Sequence, residues 1–115
     1  MSAARMKRVN ALVKRELSQL IRKRLPVENH GLISVTDVDV SKDLKIAHVY
    51  ISAVRVGHQQ IETVIASLER VRGGLQRELS HRVILKYTPH LVFKCDHGIE
   101  RAQHVLEILD DLERK

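Results

Sequence analysis

Apolar residues in this chain return at two different periods, and the switches between them constrain the fold more than any other feature. Met6, Val9, Val13, Leu17, Leu20 and Ile21 recur at steps of three and four, with no Gly or Pro before Pro26. That spacing predicts one amphipathic helix from about Ala3 to Arg24, with Lys7, Arg8, Lys14, Arg15 and Arg22 on its opposite side. After Pro26 and a polar stretch containing Gly31, the dense β-branched residues of Ile33 to Val40 predict a strand. Ile33 and Val35 share one phase and Val38 and Val40 the other, which fits either a bulge near Asp37 or a strand covered on both sides. Ser41 to Leu44 has the composition of a tight connection. Lys45 to Val54 then alternates by two, with Ala47, Val49, Ile51 and Ala53 on one face, so an antiparallel hairpin is expected.

Beyond Gly57, Ile61, Val64, Ile65, Leu68 and Val71 mark a second helix. The pair Gly73-Gly74 is expected to break it before Leu75, Leu79 and Val83 resume a helical pattern. Pro89 opens a last strand carrying Leu91, Phe93 and Cys95 on one side. Asp96 then caps a final helix with Ile99, Ala102, Val105, Leu106, Leu109 and Leu112 inward. The predicted order is α-β-β-α-α-β-α in one domain of 115 residues, without repeats, low-complexity tracts or an interdomain linker.

Charge is segregated along this pattern. The chain carries 20 Lys+Arg against 14 Asp+Glu, a formal +6. Residues 1–26 hold eight of the cations and Glu16 as their only acid, and residues 67–90 hold five cations against two acids. Residues 27–66 and 91–115 are net acidic. If the fold brings the first helix and the glycine pair together, they form one face for a polyanion. Trp is absent and only Tyr50, Tyr87 and Phe93 are aromatic, which disfavours modules that stack several bases on exposed rings and leaves backbone-directed binding. Gly73, flanked by Arg70, Arg72 and Arg77, would let another backbone come close, and a helix starting just after it would offer N–H groups to phosphate oxygens. The bland alternative is a plain helix connection with a solvated basic surface.

No run approaches the 18 apolar residues of a membrane span, and the first residues lack a signal-peptide core. The Arg-rich start superficially resembles a transit peptide, but a domain helix explains it better. The lone Cys95 excludes an internal disulfide and suits a reducing compartment. His90, Cys95, His97 and His104 are the densest metal-capable group, yet their spacing lacks the tight pairs of a zinc site, and Cys95 has no base-and-orienter arrangement beside it. No phosphate loop, dinucleotide fingerprint or paired-carboxylate arrangement appears, so neither catalysis, a metal nor a cofactor is expected.

The stretch Ile33-Ser34-Val35-Thr36-Asp37-Val38-Asp39-Val40-Ser41-Lys42-Asp43-Leu44, followed by Ala47-His48-Val49-Tyr50-Ile51-Ser52, closely resembles the hairpin signature of the ribosome-binding factor A family. Tyr87-Thr88-Pro89-His90-Leu91-Val92-Phe93 followed by Asp96 does so as well, as does an opening helix with Arg8-Val9 and Glu16-Leu17. The resemblance covers nearly the whole chain. It implies an α+β, type II KH-like fold of order α-β-β-α-kink-α-β-α, a three-stranded sheet packed against helices. The whole chain, residues 1–115, would be a single KH-like RNA-binding domain, with allowance for a few disordered terminal residues. In place of the usual KH loop it implies an Ala-x-Gly kink, which falls here on Val71, Arg72 and Gly73. Gly73 matches, whereas Val71 stands where alanine is expected and Gln76 where arginine is common, with Arg77 adjacent.

The resemblance further implies a non-catalytic assembly factor that binds the free small (30S) ribosomal subunit and assists late 16S rRNA maturation, including the 5′ end. It would be a cytoplasmic monomer, displaced with help from a small-subunit GTPase. Our choice of phosphate contacts is Arg8, Lys14, Arg15, Arg22, Arg70, Arg72 and Arg77, with Gly73 permitting close approach. Two other readings compete: a helix-turn-helix-like DNA-binding regulator built on the helix-break-helix, and a protein-interaction domain whose basic face only keeps it soluble.

Overall fold

A computed structural model describes residues 3–27, 31–54 and 61–96. The elements are α1 (Ala3–Arg24), β1 (Leu32–Val40), β2 (Ile46–Val54), α2 (Ile61–Arg82) and β3 (His90–Cys95). The strands form one sheet in the order β1-β2-β3, with β1 antiparallel and β3 parallel to β2. The expected α+β class, hairpin and three-stranded sheet packed against helices are therefore present. The expected final helix, with its inward residues from Ile99 to Leu112, lies outside the described residues.

The change of phase in β1 is a bulge. Pairing with β2 slips between Val35 and Asp37, leaving Thr36 as the extra residue. The slip returns Ile33, Val35, Val38 and Val40 to one buried face while Ser34, Asp37 and Asp39 stay exposed, so coverage on both sides is not needed. Ala47, Val49, Ile51, Leu91 and Phe93 complete that buried face from β2 and β3. Against it lie Val13, Leu17, Leu20 and Ile21 of α1 and Val64, Leu68, Leu75 and Leu79 of α2, each at most 1% exposed. Burial of such a side chain contributes about 1.5–3 kcal/mol, so this apolar layer dominates the stability.

The hairpin connection is drawn tight by its own polar groups. Asp43 Oδ1 accepts from Ser41 Oγ at 2.6 Å and from the Lys45 N–H at 3.1 Å, and Ser41 Oγ accepts from the Ile46 N–H at 3.1 Å. The bonds to Asp43, Ser41's first, hold its carboxyl below its ordinary pKa. Leu44 occupies the left-handed region, with φ of 65°, and its side chain is buried.

One expectation is corrected. The helix does not break at Gly73-Gly74: α2 runs without interruption from Ile61 to Arg82. Two glycines cost an exposed helix about 2 kcal/mol relative to alanine. Here Val64 and Leu68 before the pair and Leu75 and Leu79 after it are buried on one continuous face, and that packing outweighs the local cost. The structure therefore has no second helix start after Gly73, and the N–H groups that follow it stay within the helix instead of forming a phosphate cradle. The helix-turn-helix reading loses its turn for the same reason. Val71, where alanine was expected, packs against the core.

Both sheet edges are met by a helix amide. Asn10 Oδ1 of α1 accepts from the Val40 N–H of β1 at 2.9 Å, and Gln76 Oε1 of α2 accepts from the Leu91 N–H of β3 at 2.9 Å. Gln76, which departs from the residue the resemblance leads one to expect, thus has a structural task. Gln76→Arg removes the acceptor facing a fully buried strand residue. It is expected to cost about 1–3 kcal/mol, measured as a lowered urea midpoint with unchanged m-value, while Gln76→Glu retains most of the stability.

Candidate nucleic-acid interface

The two helices lie side by side and antiparallel over the same sheet face. Near one end of the seam, Arg24 of α1 donates from Nε and Nη2 to Glu78 Oε1 of α2, at 3.1 and 2.5 Å, and Lys23 approaches Glu78 Oε2 at 3.7 Å. Near the other, Arg82 of α2 donates to Glu16 Oε2 at 3.3 Å and to Gln19 Oε1 at 3.2 Å. Glu16, the single acid in the first 26 residues, is therefore half of a contact between the helices. The hydrogen bond from Arg24, reinforced by the charges of Lys23, Arg24 and Arg82, holds the Glu78 carboxyl below its ordinary value of 4.5.

This seating places the sequence-chosen cations. At about 100° per residue, the stripe of α1 opposite its buried side carries Arg8, Arg15 and Arg22, all exposed and seven residues apart. The corresponding stripe of α2 carries Arg70, Gly73 and Arg77, also exposed. The two basic regions of the sequence are thus on one side of the molecule. Lys14 lies on the flank of the α1 stripe toward β1 and is half-buried. Arg15 also touches its neighbour Glu16 at 3.3 Å, and Arg70 donates to Ser67 Oγ at 3.1 Å. Arg8, Lys14, Arg22 and Arg77 make no ion pair among the described residues.

Arg72 does not join this face. It is half-buried, off the outward stripe of α2, and paired with Glu69 one turn earlier. The glycines also divide differently from expectation. A Cβ on Gly74 would come within 2.5 Å of the Arg24 guanidinium, so Gly74 is the position where a close approach already occurs, made by the protein's own side chain. A Cβ on Gly73 would meet nothing within 4 Å among the described residues.

Arg24, Arg82, Glu16 and Glu78 shape the site although sequence reasoning does not single them out. The one signal it offers is the isolation of Glu16 in an otherwise basic segment. Of the metal-capable group, His90 and Cys95 lie on β3, whereas His97 and His104 fall outside the described residues. Among the described residues no three His, Cys, Asp or Glu side chains converge as a metal site would require. Phe93 is buried in the sheet, Tyr50 lies on β2 and Tyr87 in the turn before β3, where Lys86 sits 5.5 Å from its ring centroid. No aromatic side chain belongs to the helix layer.

A family profile described as ribosome-binding factor A matches residues 5–109. Ribosome-binding factor A of Clostridium novyi is 37% identical over 116 residues, covering 100% of this chain and 95% of that protein. That of Nostoc punctiforme is 40% identical over 110 residues, 94% of this chain and 78% of that protein. Among solved structures, the crystal structure of ribosome-binding factor A from Thermus thermophilus superposes with a TM-score of 0.68 at 27% identity, covering 78% of this chain and 94% of that one. A homology model of the Thermus thermophilus factor, as fitted into a cryo-electron microscopy map of its complex with the 30S subunit, gives a TM-score of 0.62 at 29% identity, covering 74% of this chain and 88% of that one.

The seam predicts a pH dependence. Because the folded Glu78 is more acidic than the unfolded one, its contribution is fully present above 4.5 and disappears as pH falls through the lowered value. Wild type and Glu78→Gln should therefore differ in melting temperature at neutral pH and converge on acidification. Gly74→Ala pushes the flexible Arg24 aside, so it should return the Glu78 carboxyl toward its ordinary value, as read by NMR titration. The substitution should not destabilise the fold, since alanine favours a helix interior by about 1 kcal/mol.

Proposed function

This chain belongs to the ribosome-binding factor A family, and on that premise we propose that it is a non-catalytic assembly factor that binds the free 30S subunit and assists late 16S rRNA maturation, including the 5′ end. The observation that carries the mechanism is the shared outward face of α1 and α2. Arg8, Arg15 and Arg22 are exposed on the outward stripe of α1 and Arg70 and Arg77 on that of α2, with Lys14 at the flank and no atom of the described residues within 4 Å of a Cβ on Gly73. These groups grip rRNA phosphates, while Arg72, held by Glu69, contributes charge from the side. The 30S complex of the Thermus thermophilus factor supports the choice of partner.

A protein without chemistry of its own steers rRNA by binding one conformation better than another. A ligand with equal affinity for both shifts nothing, whereas a tenfold preference is worth about 1.4 kcal/mol. A rigid cationic platform does this when its charges match the phosphate positions of the mature-like form and miss those of the alternative. The same reading makes the protein a cytoplasmic monomer, released with help from a small-subunit GTPase. In keeping with it, no helix among the described residues is long and apolar enough to cross a membrane.

If about five phosphates are neutralised, the affinity for 30S subunits in a pelleting titration should fall with salt at a log–log slope of roughly −3.5 to −4.5. Arg15→Glu and Arg77→Glu should each reduce that slope by about one or more, and together nearly abolish association at physiological salt. A flat salt response, or subunit association that survives the double reversal, overturns the electrostatic mechanism. Duplex DNA that competes as well as 30S subunits would instead favour a DNA-binding role.

A further inference from the structure

The outer edge of β1 is defended along one half and bare along the other. The carbonyls of Lys45, just before β2, and of Ile51 accept from the His90 and Asp96 N–H groups at 2.8 Å, so both point toward β3. Backbone groups of successive strand residues point to alternate sides, which leaves the odd-numbered residues of β2 addressing β3 and the even-numbered ones β1. Ile33, Val35, Val38 and Val40 of β1 stand opposite odd-numbered residues, and their N–H and C=O groups therefore point out of the sheet. After the bulge those N–H groups are taken. Asp37 Oδ1 accepts from Val38 at 2.9 Å, and Asn10 Oδ1 accepts from Val40 at 2.9 Å. Before the bulge, the outward groups of Ile33 and Val35 bond to no described residue. Bulges, edge charges and capping side chains are the devices that keep a sheet edge from accepting another strand, and residues 32–35 have none of them.

This bare half opens on a groove. α1 runs antiparallel to β1, with Asn10 beside Val40 and with Ser18 and Arg22 beside residues 32–35. Between them lies a cavity of about 260 Å³ lined by Ser18, Arg22, Leu32, Ile33, Ser34 and Val35. A second cavity shares Ser18 and Arg22 and extends along α1 past Lys14 and Arg15. Both have cations in their walls and no carboxylate. A strand edge lying beside a helix is the setting in which an extended peptide joins a sheet, with main-chain bonds giving affinity and alternate side chains giving specificity.

An antiparallel strand added here lies about 4.8 Å outside β1. Its residues opposite Ile33 and Val35 exchange N–H and C=O bonds with them and turn their side chains toward α1, where Arg22 and Lys14 favour carboxylates. Its residues opposite Leu32 and Ser34 turn to the other side of the sheet, where the Leu32 side chain, in a residue 46% exposed, gains an apolar cover. At the bulge the pairing stops, and Asp37 and Asp39 oppose further acid.

We propose that residues 32–35 of β1, with Arg22 of α1 as the facing wall, form a docking site for an extended strand of alternating acidic and β-branched residues supplied by a protein partner. The site goes beyond the rRNA reading and stands without it, although Arg22 belongs to both.

The test uses the full chain without RNA and a fluorescent peptide of about eight residues alternating Glu and Val. Amide exchange read by NMR should show Ile33 and Val35 exchanging freely in the free chain and slowed at least about tenfold at saturating peptide, with Ser34, already bonded to β2, unchanged. Two peptide variants leave the protein, and hence its folding, untouched. N-methylation of the glutamates removes the donors that face β1 and should weaken binding, read by anisotropy, at least about tenfold, whereas N-methylation of the valines should change Kd by less than about threefold. Arg22→Glu should weaken binding of the unmodified peptide by about fivefold or more, and a peptide with Lys in place of Glu should not bind. Equal losses from the two methylations, or absence of binding by the unmodified peptide, overturn the proposal. So does protection of Ile33 and Val35 that is already present in the free chain, or that grows with chain concentration alone, since a second copy would then occupy the edge.

Discussion

Arg24 crosses the bare backbone of Gly74 to reach Glu78, and the position of every outward cation depends on the alignment of helices that this contact and its counterpart at Arg82 and Glu16 maintain. The strength of the helix pairing comes from elsewhere. Exposed ion pairs contribute about 0–1 kcal/mol each, whereas the buried Leu17, Leu20, Leu68, Leu75 and Leu79 beneath them contribute several-fold more in sum. An apolar layer fixes which faces meet but is tolerant of sliding. The charged contacts, one set near each end of an antiparallel seam, select the register. They also draw Glu16 and Glu78 into the seam, where Glu78 meets Arg24 and Lys23, and Glu16 meets Arg82 while also touching Arg15 of the outer stripe.

The sheet beneath is arranged to keep that platform rigid. β2 is central and bonded on both sides, while β1 and β3 are edges. Unpaired edge N–H groups invite other strands, and here each edge has one occupied by an amide from the helix above it, Asn10 on β1 and Gln76 on β3. The same two bonds pin each helix to its strand. Helix register and edge protection therefore depend on one small set of polar contacts outside the apolar core.

Much of this is legible in the chain. The bounds of α1, the hairpin and the last strand follow from the apolar period alone, because in each case one face is buried and the other is not. The phase change near Asp37 instead leaves a bulge and a strand covered on both sides as alternatives, which only the strand register decides. The expected helix break fails because it weighs Gly73-Gly74 by local propensity. Leu68, Val71, Leu75 and Leu79 follow one another at steps of three, four and four straight across the glycines, whereas a true break would reset that phase. The contacts of Arg24 with Glu78 and of Arg82 with Glu16 join residues 54 and 66 positions apart, and no local pattern announces them. Proximity in sequence groups Arg72 with Arg70 and Arg77. One helical position turns it off the stripe and toward Glu69.

The two glycines then separate into different problems. Each costs a helix interior about 1 kcal/mol relative to alanine. At Gly74 the structure supplies the compensation, because a side chain there would displace Arg24 from the seam. At Gly73 it supplies none among the described residues: no atom of these lies within 4 Å of where a Cβ would be, and the position faces outward between two arginines. A residue that weakens a helix without improving any internal contact gains its physical rationale from what approaches from outside. On the proposed reading, the approaching group comes closer than a methyl would allow and, between Arg70 and Arg77, is anionic. On the proposed reading of this face, a phosphate backbone laid against the helix meets both conditions, and the open glycine between Arg70 and Arg77 is where it would come closest.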